Sequence, residues 1–107
     1  MKIAFVSPAA EREFKSLPKH IKERFALDLK AVQKGRTPFS KIKSLSSVGA
    51  GAIELIKNGS PAYRCIYVAK FDDTIYILHS FVKTTNGVDR PAMKVASQRY
   101  KEIKRQT

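Results

Sequence analysis

Three side chains able to do chemistry interrupt or end a stretch that is otherwise apolar: Arg64, His79 and Lys83. A guanidinium on an interior strand is costly to take out of water, so Arg64 either reaches a rim where it can grip an anion or pairs with Glu54 on the neighbouring strand. His79 lies in an apolar run, as a hydrogen-bonded core residue or as an acid–base group. Lys83 stands where a strand leaves the sheet, so it is either a group projected from a rigid scaffold or a solvated strand end. Tyr63, Tyr67 and Tyr76 can stack on bases or fill the sheet. Asp72 and Asp73 read as turn formers.

What is missing narrows the chemistry. There is no Gly-rich phosphate loop, no zinc spacing, no HExxH and no G-x-S-x-G. The chain holds 21 Lys and Arg against 9 Asp and Glu, a net charge of +12 over 107 residues. An excess of that size attracts polyanions, with nucleic acid first among them and an acidic protein next. A hydrophobic content of 43% argues for a folded globule rather than a basic tail, and the length suits one domain spanning 1–107. The lone Cys65 can make neither an intramolecular disulfide nor a zinc site. No run approaches the roughly 18 apolar residues of a membrane span. A reducing, cytoplasmic location is expected.

The elements that must position these groups follow from periodicity. Ala62–Lys70 and Ile75–Lys83 are rich in β-branched and aromatic residues and flank Asp72-Asp73, which predicts a hairpin. The second strand is apolar at nearly every position, which places it at the centre of the sheet. Ala52–Lys57 precedes them through an Asn58-Gly59 turn signal, completing an antiparallel meander, and Lys2–Val6 reads as a short strand added at an edge. Ser7-Pro8 starts a helix that ends near Ser16. A second helix over residues 18–34 carries an apolar stripe of Ile21, Phe25, Leu29 and Val32. Residues 36–51, rich in Ser, Gly and Lys, read as a connecting loop carrying Lys41 and Lys43, either solvated or in contact with RNA. Asp89-Arg90-Pro91 opens a last helix to about Lys104. The order β-α-α-β-β-β-α predicts an α+β fold, with two N-terminal helices and a C-terminal helix packed on a small antiparallel sheet.

The run AIELIKNGSPAYRCIYVAKFDDTIYILHSFVKTTN, followed by Ala96 and Arg99 on the last helix, resembles the HigB-like branch of the RelE/ParE toxin superfamily, which includes phage-derived members. Gly51, Glu54, Leu55, Tyr63, Arg64, Leu78, His79, Phe81, Lys83, Thr85, Ala96 and Arg99 carry the resemblance, and the two N-terminal helices extend it to nearly the whole chain. It implies a toxin of a toxin–antitoxin pair: a metal-independent endoribonuclease, without cofactor, that cleaves mRNA on the translating ribosome. The cognate antitoxin is expected to be a helix-turn-helix protein. The resemblance further implies that Arg64 stabilises the transition-state phosphate, that Lys83 does so from the facing side or assists proton transfer, and that His79 orients a neighbour or acts as acid or base. Lys57, Arg90 and Arg99 would hold backbone phosphates. Two family cations are replaced here, by Ile56 and Thr84, and Lys57 and Arg90 are the candidates to stand in for them.

Two other readings keep part of this picture. ParE-like relatives bind DNA gyrase and perform no RNA chemistry, on the same fold. A non-catalytic basic module would bind nucleic acid or an acidic partner with steep salt dependence, and none of the three residues would then matter more than any other surface cation.

Overall fold

The structure, a computed structural model, describes residues 1–106. The chain runs β1 (Lys2–Phe5), α1 (Pro8–Lys15), α2 (Lys19–Gln33), β2 (Lys41–Ser44), β3 (Ala52–Lys57), β4 (Ala62–Phe71), β5 (Thr74–Lys83) and α3 (Arg90–Gln106). The five strands form one sheet in the order β1-β5-β4-β3-β2. The α+β class and the β3-β4-β5 meander are as expected from the sequence. At the tip of the β4–β5 hairpin, Asp72 and Asp73 both adopt positive φ, 54° and 50°, the conformation of the two central residues of a type I′ turn.

Three features differ from expectation. β1 joins β5 in parallel, Lys2 beside Thr74 and Phe5 beside Ile77, so the sheet is mixed. β4, not β5, is the middle strand. Residues 41–44, expected within a loop, form the edge strand β2, antiparallel to β3, with Lys41 opposite Ile56 and Lys43 opposite Glu54. Four exposed residues offer too little alternation to mark a strand. What holds this one lies elsewhere, in Asp28 of α2. The Asp28 carboxylate is fully buried. Its Oδ1 accepts from the backbone N–H groups of Phe39 (2.8 Å) and Ser40 (2.9 Å), its Oδ2 accepts from the Ser40 hydroxyl (2.5 Å), and Arg24 Nε donates to that hydroxyl (2.9 Å). A buried carboxylate must find such partners, and these fix the entry into β2.

Helices cover both faces of the sheet. α2 lays Ile21, Phe25 and Leu29 on Leu55, Cys65, Tyr67, Ile75 and Ile77. On the other face α3 packs Ala96, Tyr100 and Ile103 against Ala52, Ile66, Val68 and Leu78. The starts of α1 and α3 are capped as their sequences direct: Ser7 Oγ accepts from Ala10 N–H, and Asp89 Oδ1 from Ala92 N–H. The turn after β2 lies so close to α3 that a Cβ on Gly49 would come within 2.4 Å of the Tyr100 ring, while the Tyr100 hydroxyl donates to the Ala50 carbonyl at 2.6 Å. No helix among the described residues is long and apolar enough to cross a membrane.

Candidate functional site

Strand alternation sorts the candidate residues by face. Register places Lys41 and Lys43 of β2, Glu54 and Ile56 of β3, Arg64 of β4, and Phe81 and Lys83 of β5 on the α3 side of the sheet. α3 covers only part of this face. Beyond its first turn a cleft of about 250 Å³ opens, walled by Lys43, Glu54, Lys83, Asp89 and Met93 and by the turn from Ser44 to Ser47.

Glu54 is the centre of this arrangement. It is 6% exposed. Burial pushes its carboxyl above the usual glutamate range; Arg64, Lys43 and Lys83 pull the other way and Asp89 adds to the rise, and burial prevails. Arg64, 8% exposed, stands behind it with Nε 3.9 Å from Glu54 Oε1, too far for a hydrogen bond. That Nε has no hydrogen-bond partner among the described residues. The rest of the guanidinium donates to the Tyr63 carbonyl (3.0 Å) and to Asn58 Oδ1 (3.1 Å). Lys83 Nζ donates to the Thr85 carbonyl at 2.7 Å, which ties the exit of β5 to the loop that closes the cleft. Of the two environments offered by its sequence position, Arg64 has the acidic neighbour, and Glu54 stands between it and the cleft wall.

Of the other sequence candidates, Lys57 lies apart. Lys57 is one residue beyond Ile56 and so points to the opposite face, where it lines grooves with His20 and Ile21 of α2 and donates to the Asn58 carbonyl. It therefore cannot occupy the place of the cation replaced by Ile56. Lys41 and Lys43, brought in by β2, do stand on that face, directly opposite Ile56 and Glu54. Arg90 is exposed at the first residue of α3, next to Asp89 of the cleft wall.

His79 and Arg99 meet a different partner. A β-bulge places Leu78 as an extra residue between the pairs Ile66–His79 and Tyr67–Ile77 and turns His79 toward the free edge of β5 beyond β1. There Glu13 of α1 receives His79 Nδ1 at 2.8 Å and both Arg99 Nη1 (2.8 Å) and Nη2 (2.9 Å), while Arg99 also donates to the Leu78 carbonyl at 2.9 Å. The cluster clamps α1 to α3 around the sheet. The His79 ring stacks on Phe81 at 4.8 Å between centroids, and Phe81 is the residue between His79 and Lys83 on this face. Burial raises the Glu13 carboxyl, but the hydrogen bonds and charges of Arg99 and His79 outweigh it, so the net shift is downward. A lowered folded value makes the Glu13 contribution fully present above the ordinary glutamate range and lost as pH falls through the lowered value. Thermal midpoints at pH 7 and pH 3 should therefore differ less for Glu13→Gln than for the unaltered chain; equal differences would show that Glu13 is not the linked group.

Glu13 and Asp28 are the polar residues that sequence reasoning passed over. Asp28 had a visible signal, a carboxylate between Phe25 and Leu29 on the buried side of α2. Glu13 had none, since its partners lie 66 and 86 residues away. Among the described residues no three His, Cys, Asp or Glu side chains gather to hold a metal ion.

Residues 12–101 match the family model described as phage derived protein Gp49-like (DUF891). No curated protein matches the chain.

Proposed function

Since the chain belongs to the phage-derived Gp49-like family, a family of RelE/HigB-like toxins of toxin–antitoxin systems, we propose that the cleft beside Glu54 cleaves RNA. The observation that carries this reading is a buried carboxylate with a raised pKa at the wall of an open cleft, with Lys43, Lys83 and Arg64 around it. In transesterification, the ribose 2′-oxygen attacks the adjacent phosphorus, the bond to the 5′-oxygen breaks, and a 2′,3′-cyclic phosphate and a 5′-hydroxyl end result. The step needs a base for the 2′-proton, a donor that gives a proton to the leaving 5′-oxygen, here the Lys83 ammonium, and fixed positive charge for the phosphorane. Glu54 is the group placed to take the proton, because desolvation makes it a stronger base than an exposed glutamate. Lys83 and Lys43 reach the cleft from opposite sides, and Arg64, buried behind Glu54 and off the cleft wall, adds its positive charge from there. Cations fixed in advance lower the barrier more than they tighten ground-state binding. Lys41 and Arg90, at the margins, hold flanking phosphates. His79 acts as a positioning residue through Phe81, and Arg99 through the Glu13 clamp; neither has a place on the cleft wall.

The substrate under this reading is mRNA engaged in translation, and the second partner is a cognate antitoxin of the helix-turn-helix kind. The test is to induce the chain alone in a bacterial host and map mRNA 5′ ends alongside growth, for the unaltered chain, Arg64→Ala and Lys83→Ala. Growth arrest with new cuts inside reading frames, lost in both variants, is expected. Arrest with intact mRNA and a DNA damage response would replace the nuclease with a gyrase-binding toxin, and no arrest would leave a binding module.

A further inference from the structure

The end of the sheet at β2 combines three features that a solvated edge does not need. The first is its backbone. Leu45 N–H donates to the Ala52 carbonyl at 2.9 Å, which makes that opposed pair a hydrogen-bonded one. By the alternation of an antiparallel ladder, Lys43 and Lys41 also face β3, whereas the N–H and C=O groups of Ile42 and Ser44 point outward from the last strand of the sheet. The second is a row of apolar side chains on the α2 side of this edge: Phe39 at 78% exposure, Leu27 at 57% and Ile42 at 45%. Phe39 and Leu27 share one groove with Arg24 and His20. Phe39 is not loose, since Asp28 holds its amide and that of Ser40. A buried hydrogen-bond network thus fixes the backbone of a phenylalanine that stands in water. The third is charge. On the opposite side of the same strand Lys41 and Lys43 point toward the cleft face.

We propose that this edge is a docking site for an extended segment of a protein partner, which adds a sixth strand beside β2. Edge addition takes its affinity from main-chain hydrogen bonds and its specificity from alternate side chains. The partner's sequence is therefore constrained to period two: apolar residues over Ile42, Phe39 and Leu27, and acidic residues on the other side against Lys41 and Lys43. Charge selects among possible occupants. A second copy of β2 would set its own lysines against Lys41 and Lys43, which opposes self-pairing. RNA phosphates could pair with the lysines and accept from strand N–H groups, but they offer no donor to the outward carbonyls of Ile42 and Ser44 and leave Phe39, Leu27 and Ile42 in water. The added strand also bears on the cleft, because carboxylates at Lys43 stand where substrate phosphate would approach. This last consequence rests on the nuclease reading; the docking itself does not.

The test uses the full chain and a synthetic ten-residue peptide alternating Glu with Leu or Ile, against a peptide of the same composition in blocked order. Amide exchange by NMR is expected to slow at Ile42 and Ser44 with the alternating peptide alone. Phe39→Ala and the pair Lys41→Glu, Lys43→Glu should each weaken its binding about tenfold or more, and Arg64→Ala should leave it unchanged. Equal binding of both peptides, no binding of the alternating peptide up to millimolar concentration, or protection elsewhere on the chain would each overturn the proposal. If the alternating peptide binds as expected but RNA is never cut, the docking edge stands and the nuclease reading falls.

Discussion

Glu54→Gln is expected to slow RNA cleavage by about 10²- to 10⁴-fold, the usual contribution of a positioned general base. The amide keeps the shape of the side chain and removes both its basicity and its charge. The pH profile separates the two effects. A base must be ionised to act, so kcat/KM of the unaltered chain should fall on the acid side of its profile. Because burial raises the Glu54 carboxyl, that fall should begin above the glutamate reference of about 4.3. In Glu54→Gln the same limb should vanish. A limb that persists unchanged would assign the proton to another group. The stability linkage runs with the opposite sign to that of Glu13: ionised Glu54 costs folding free energy, and the cost is relieved as pH falls through the raised value. The Glu54→Gln chain should thus fold at least as well as the original, which keeps a loss of activity from being a loss of fold.

Asp28→Ala should cost about 3 kcal/mol, since it leaves the Phe39 and Ser40 amides without their acceptor and opens a gap under α2. For a domain of this size that lowers the thermal midpoint by more than about 10 °C. Asp28→Asn keeps one oxygen acceptor and should lose less. Hydrogen exchange at Phe39 and Ser40 should rise in both variants ahead of exchange in β4. A midpoint within about 3 °C of the unaltered chain would mean that β2 is held by its pairing with β3 alone.

These two sites mark how far the sequence could be read. The meander from Ala52 to Lys83 and the three helices follow from local patterns, and alternation along β3 already separates Glu54 and Ile56 from Lys57. The displacement of Lys57 from the cleft was thus legible in its parity, although its sequence neighbourhood suggested otherwise. The arrival of Lys41 and Lys43 was not. Their strand is four residues long, exposed throughout, and fixed by a carboxylate from a helix that precedes it. Nor was the attachment of His79 to Glu13 legible, since Glu13 lies 66 residues earlier in the chain and no local pattern joins the two.

The parallel pairing of β1 with β5 has a consequence for synthesis. Residues 2–5 find their partners only at 74–77, and the apolar stripe of α2 finds its floor only in β3, β4 and β5. A ribosome adding about 5–20 residues per second holds the first strand and both early helices without a sheet for roughly 4–15 seconds. Contacts of such wide sequence separation form late, so the order of emergence delays the folded shape until β5 is out. During that interval the nascent chain exposes Ile21, Phe25 and Leu29, apolar surface that must stay shielded from aggregation until the sheet arrives.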